Sequence, residues 1–128
     1  ENVPYYTFSI DEMIPAVGQG AVGIQIRIND PEVAELVAAL NHVETWMAVT
    51  AERSLLHTLD SGCQFPVGAH GKVYGNSLEI AGFVGLEDGT KVLKEKLHAE
   101  AKDPDAAGKI LADKLIKRGA LKLLNVEK

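Results

Sequence analysis

The only thiol in the chain is Cys63. A thiol can serve as a turnover nucleophile, a redox partner, a metal ligand or a covalent anchor. Cys63 lies between Gly62, which suits the residue just past a helix, and Gln64-Phe65-Pro66, so it falls on a connection. The end of a helix carries partial negative charge, which opposes thiolate formation. With no second cysteine there is no disulfide exchange and no Cys-x-x-Cys zinc site. If Cys63 does chemistry, a stable covalent attachment suits it better than rapid turnover. The competing reading is a small buried hydrophobe.

Gly18-Gln19-Gly20-Ala21-Val22-Gly23 matches G-x-G-x-x-G letter for letter. A dinucleotide site needs a strand before that loop and a helix after it. Here Pro15 precedes, and strand-like alternation follows, so the context is reversed. A Gly-rich turn in a tightly packed place is the plainer reading; a second is a loop whose Gln19 and amides face a ligand. His42, His57, His70 and His98 fall on different elements without a ligand spacing, so no metal site is expected. Glu52-Arg53 lies on a predicted helix, where Arg53 either snorkels at a surface or pairs with an acid. The mixed charges of 94–118 read as a solvated face.

These groups are carried by elements that the periodicity marks. Tyr5–Phe8 is β-like, and Val22–Ile28 alternates as a strand. Asp30-Pro31 opens a helix by cap and proline, and its apolar spacing continues through Val33, Leu36, Val37 and Leu40. After a waver at Asn41-His42, a second helix carries Val43, Trp46, Met47, Thr50, Ala51, Ser54 and Leu55 at three-four spacing and stops at Asp60-Ser61-Gly62. The period then becomes two: Val67–Tyr74, Leu78–Leu86 and Thr90–Leu97 are three strands, joined at Gly75-Asn76-Ser77 and Glu87-Asp88-Gly89. Asp103-Pro104 repeats the helix start, Ala107, Leu111 and Leu115 share a face, and Gly119 ends it before a short tail, 120–126. The expected fold is α+β: a three-stranded antiparallel sheet with helices on one face over 42–128, preceded in 1–41 by partial segments of neighbouring α/β domains.

The 128 residues are 46% apolar and 24% charged with a net charge of -5, an ordinary globular balance. That charge argues against a duplex nucleic-acid binder. No apolar run of about eighteen residues is present to span a membrane, and no signal-peptide pattern occurs. A single cysteine needs no oxidising compartment, so a cytoplasmic protein is expected. The chain opens Glu1-Asn2-Val3-Pro4 without an initiator methionine, which reads as a piece of a longer protein or equally as a processed natural start.

Two stretches together resemble one family. Ile14-Pro-Ala-Val-Gly-Gln-Gly-Ala-Val-Gly-Ile24 is similar to the segment that precedes the last domain of porphobilinogen deaminases (hydroxymethylbilane synthases). Glu52-Arg-Ser-Leu-Leu-His-Thr-Leu-Asp-Ser-Gly-Cys63-Gln-Phe-Pro-Val-Gly68 resembles their cofactor-attachment signature. Ala38–His42 and the Asp88-Gly89 hairpin extend the likeness to essentially the whole chain. Ser61 stands where the family usually has the first of two glycines, and Phe65 where it usually has Val or Ile; neither change removes the thiol.

The resemblance implies part of a three-domain transferase of tetrapyrrole (porphyrin, heme) biosynthesis. It condenses four porphobilinogen molecules into hydroxymethylbilane with loss of ammonia. By that likeness Cys63 holds a dipyrromethane primer through a thioether, and Gln19 and Gly20 line the pyrrole pocket. The partners implied are porphobilinogen and growing pyrrole oligomers, with a monomeric parent. The family's catalytic aspartate and most carboxylate-binding arginines belong to its first domain and have no match here, so no catalytic residue is assigned. Residues 1–16 would finish the second domain, 17–41 return to the first, and 42–128 form the third. On its own the chain is then expected to be inactive, to lack the dipyrromethane, and to self-associate through 1–41. The reading from another class is a small ligand-binding or regulatory α+β module.

Overall fold

A computed structural model describes residues 3–59 and 66–123. Its element order is α1 (Pro31–Ala38), α2 (Val43–Leu59), β1 (Val67–Tyr74), β2 (Ser77–Gly85), β3 (Val92–Glu100), α3 (Pro104–Lys117) and the single turn α4 (Ala120–Leu123). The strands form one antiparallel sheet in the order β1-β2-β3. This is the α+β arrangement expected from the change of period at residue 67.

Register and burial together define the two faces. Leu78, Ile80 and Val84 of β2 are fully buried, as is Ala69 of β1, while Leu93, Leu97 and Ala99 of β3 pack against the same cluster. Leu55 and Leu59 of α2 and Leu111 and Leu115 of α3 fill the cluster from the other side. The seven largest fully buried side chains, three from the sheet and four from the two helices, make one core between the layers. The helices cross closely because Gly108 has no side chain: a Cβ there would stand 2.2 Å from the Ala51 carbonyl oxygen.

Both predicted helix starts are present. Asp30 accepts from the Val33 amide at 3.2 Å and Asp103 from the Ala106 amide at 3.1 Å, each followed by proline. Gly119, at φ 98°, closes α3, its N–H donating to Ile116 O at 2.8 Å. The predicted stop of α2 at Gly62 lies outside the described residues. The start of α2 is held by a group not foreseen as a cap: His42 Nδ1 accepts from the Thr45 amide at 3.3 Å.

Three expectations need correction. Residues 5–8 and 22–28 form no ladder, and Val22 and Ile28 are 93% and 100% exposed. Alternation prepares a strand, but a strand exists only where a neighbour accepts its hydrogen bonds. The third strand runs later than Thr90–Leu97, because Asp88 Oδ1 accepts from both Thr90 N–H and Thr90 Oγ–H and so draws Gly89–Lys91 into the turn. The buried face of α2 overlaps the expected one at Ala51, Ser54 and Leu55 and is extended by Ala48, Glu52 and Leu59, whereas Val43 and Trp46 are exposed.

The segment before α1 is not idle. Pro15 O accepts from the Ala69 amide on the open edge of β1 at 3.1 Å. Asp11 pairs with Lys96, on the sheet face opposite the helices, and the bond to that ammonium holds the Asp11 carboxyl below its usual range. Gly68 leaves room for this crossing, since a Cβ there would meet Pro15 O at 2.5 Å. Ile14 is thereby buried.

Candidate functional site

Cys63 lies outside the described residues, which stop at Leu59 and resume at Pro66. Leu59, the last residue of α2, is fully buried. Pro66 O accepts from the Gly85 amide at 2.9 Å, fixing the chain just before β1 to the end of β2. The connection is therefore anchored at both sides.

The Gly-rich segment is a pair of tight turns. Gln19 N–H donates to Ala16 O at 3.0 Å and Ala21 N–H to Gly18 O at 3.1 Å. Gly18 and Gly20 take φ of 72° and 84°, a region in which a side chain is strained, and this is why glycine stands at both. Gln19 is exposed, and its Oε1 accepts from the Ala16 amide at 3.1 Å, so its carbonyl is used within its own turn.

What holds the turn was not foreseen. Glu52 of α2 is only 5% exposed, and its two oxygens go separate ways. Oε2 accepts from the Gly18 amide and Oε1 from the Gly71 amide of β1, each at 2.7 Å. These are short, charge-assisted bonds that compensate for burying the carboxylate. The signal was in the sequence: Glu52 follows Ala48 by one helical turn and precedes Leu55 by three residues, within the apolar stripe. The same contact disposes of the dinucleotide reading, because an amide that a phosphate would need is occupied by a carboxylate, and a helix does not follow directly.

Beside the turn is an open cleft of about 670 Å³ between the Gly-rich segment, α1 and the first half of α2. Gly20 and Val22 form one wall; Trp46, Thr50 and Arg53 form another, and Gln19 does not line it. Trp46 is 55% exposed and lines the cleft together with the exposed Arg53, so its lining includes an aromatic and a cationic residue. The structure thus brings Gly20 to a cavity with Arg53 and leaves Gln19 at its edge. Among the described residues, no group of three or more His, Cys, Asp or Glu could hold a metal ion. No described helix is long and apolar enough to cross a membrane.

Comparison with known proteins places the chain. The family model described as "Porphobilinogen deaminase, C-terminal domain" matches residues 46–117. A porphobilinogen deaminase of Moorella thermoacetica is 45% identical over 124 residues, covering 97% of this chain and 38% of that protein. One of Geobacter sulfurreducens is 42% identical over 115 residues, 90% of this chain and 36% of the relative. One of Chloroherpeton thalassium is 48% identical over 92 residues, 72% of this chain and 29% of the relative. The chain spans well under half the length of these curated relatives. With a sheet and two covering helices in the matched region, and with likeness continuing through the Gly-rich turn, this chain belongs to the porphobilinogen deaminase family.

Proposed function

We propose that the chain is the cofactor-anchoring part of an enzyme that joins four porphobilinogen molecules into hydroxymethylbilane. The observation that carries this reading is the match to a porphobilinogen deaminase along 97% of the chain, which leaves no room to omit either the Gly-rich segment or the Cys63 segment. Cys63 would hold dipyrromethane through a thioether, and when bound that group supplies the primer on which the pyrrole chain grows. A connection anchored at both ends suits such an attachment.

The described residues fit pyrroles. The cleft beside Gly20 takes a small aromatic ligand, Trp46 offers a stacking face, and Arg53 offers a cation to the acetate and propionate groups. Gln19, exposed beside Gly20 with its Oε1 engaged by the Ala16 amide, has its NH₂ left as a donor for a bound pyrrole. The domain assignment of 1–16, 17–41 and 42–128 is part of the same reading; the concentration of the core in α2, the sheet and α3 supports it. A cytoplasmic enzyme, monomeric when complete, accords with it.

The chain expressed by itself should form no hydroxymethylbilane and leave Cys63 unmodified, because it has no match for the family's first-domain aspartate and arginines. Intact-mass measurement with a pyrrole colour reaction tests this. A covalent dipyrromethane on the chain expressed alone would overturn it. In the complete enzyme, Cys63→Ser should abolish cofactor loading, and undiminished loading would overturn the anchor.

A further inference from the structure

We propose that Glu52 is a positioning residue for the pyrrole-lining turn, holding Gly18–Gly20 in register with the sheet that follows the cofactor connection. The inference rests on the reading above for what the turn does, but not for how the turn is held.

The argument is one of accounting for donors. β1 is an edge strand, bonded to β2 on one side only, so its outward amides need acceptors from elsewhere. Ala69 finds Pro15 O, and Gly71 finds Glu52 Oε1. The remaining oxygen, Oε2, reaches across to the Gly18 amide. One buried carboxylate therefore stands where a backbone strand would otherwise be. It joins three parts of the chain: α2, the sheet edge and the turn.

The two bonds are unequal in what they restrain. Gly71 is fixed in any case by its pairing with Ile80 and by close packing on Ala48, whose carbonyl oxygen would lie 3.0 Å from a Cβ at residue 71. The turn has fewer restraints, since Gln19 and Gly20 are exposed. Releasing Oε2 should free the turn and leave the sheet intact. Glu52→Gln makes this separation: the two amides are reached by different oxygens, so the Gln carbonyl stays at the well-fixed Gly71 amide and its NH₂, a donor, meets the Gly18 N–H. Glu52→Leu keeps much of the volume and serves neither.

Residue-resolved hydrogen exchange on the complete enzyme containing this chain, combined with kinetics, tests the proposal. In Glu52→Gln, exchange over residues 17–21 should rise at least tenfold while residues 78–84 keep their protection. Dipyrromethane loading, followed by the pyrrole colour reaction, should persist, and KM for porphobilinogen should rise more than kcat falls. Unchanged exchange over 17–21 overturns the proposal, as does an equal rise in the β2 core, which would make Glu52 a support for the fold alone. A freed turn with unaltered KM overturns its positioning role. If Glu52→Leu does not fold, the Gln variant carries the test by itself. A wild-type enzyme that consumes no porphobilinogen, while the exchange result holds, overturns the enzymatic reading and leaves the Glu52 bridge standing.

Discussion

Asp30-Pro31 and Asp103-Pro104 begin two helices in the same manner. Their caps have nearly the same backbone, φ and ψ of -126° and 76° at Asp30 and -127° and 71° at Asp103. Beyond the first turn the two regions diverge. α3 buries Pro104, Ala107, Gly108, Leu111, Ala112 and Leu115, whereas α1 buries none of its residues. The alternating segment ahead of α1 fares similarly, with Ile24 and Ile28 turned to solvent, while alternation in β2 fills the core. A cap determines where a helix starts; burial determines how firmly it is held. The region 21–41 has the local grammar of structure without the opposing surface that would stabilise it.

The largest expected effect lies in that contrast. Leu111→Ala removes a fully buried side chain and should cost roughly 2–5 kcal/mol in urea unfolding. Leu36→Ala, at a position 70% exposed in α1, should stay within about 0.5 kcal/mol of wild type. Comparable losses at the two positions would show that α1 has a core partner after all.

The caps sharpen the comparison at smaller scale. Asp103→Ala should lower global stability by about 1 kcal/mol, since α3 is part of the cooperative core. Asp30→Ala removes the same kind of bond, but its effect should appear as faster amide exchange confined to 31–38. A global loss from Asp30→Ala would erase the distinction between the regions.

A still smaller effect concerns acid. The Asp105 carboxyl is held below its usual value of 3.8, first by the hydrogen bond from Lys109 and then by that from Ser54. A depressed folded-state pKa means that the stabilisation is present above about pH 3.8, the unfolded value, and is lost as pH falls through the lower folded value. Ser54 is buried on α2, so the bond links α2 to the start of α3. Asp105→Asn should flatten the acid limb of the pH–stability curve below pH 4 only slightly, because the carboxyl is exposed to solvent. An unchanged acid limb would remove Asp105 from the account.

Much of the fold was legible because its signals are local. Period two in Leu78–Val84, the Gly75-Asn76 turn and the two Asp-Pro starts depend on neighbours in sequence, and each is present. The false strands at 5–8 and 22–28 carried the same local signals, but strand formation also needs a partner. The spacing along α2 marks Ala51, Ser54 and Leu55 rightly as inward, but it also puts Val43 and Trp46 there, and both are exposed. Residue type suggests burial, but packing assigns it. Gln19 and Gly20 were legible as a turn, and Gly20 does line a cleft; helical spacing puts Glu52 on the buried stripe, but its partner at Gly18 is 34 residues away and has no local signature.

Sequence by itself determined the single thiol, the element order from α2 onward, the caps and the likeness to porphobilinogen deaminases. These follow from residue identity and short-range spacing. Tertiary structure alone decided that Pro15 and Glu52 finish the open edge of β1, that the N-terminal segment crosses the sheet, and that 22–28 remains without a ladder. Each of these turns on where a donor finds its acceptor or an apolar side chain finds a surface. Such partners are distant in the chain and become neighbours only when the layers close.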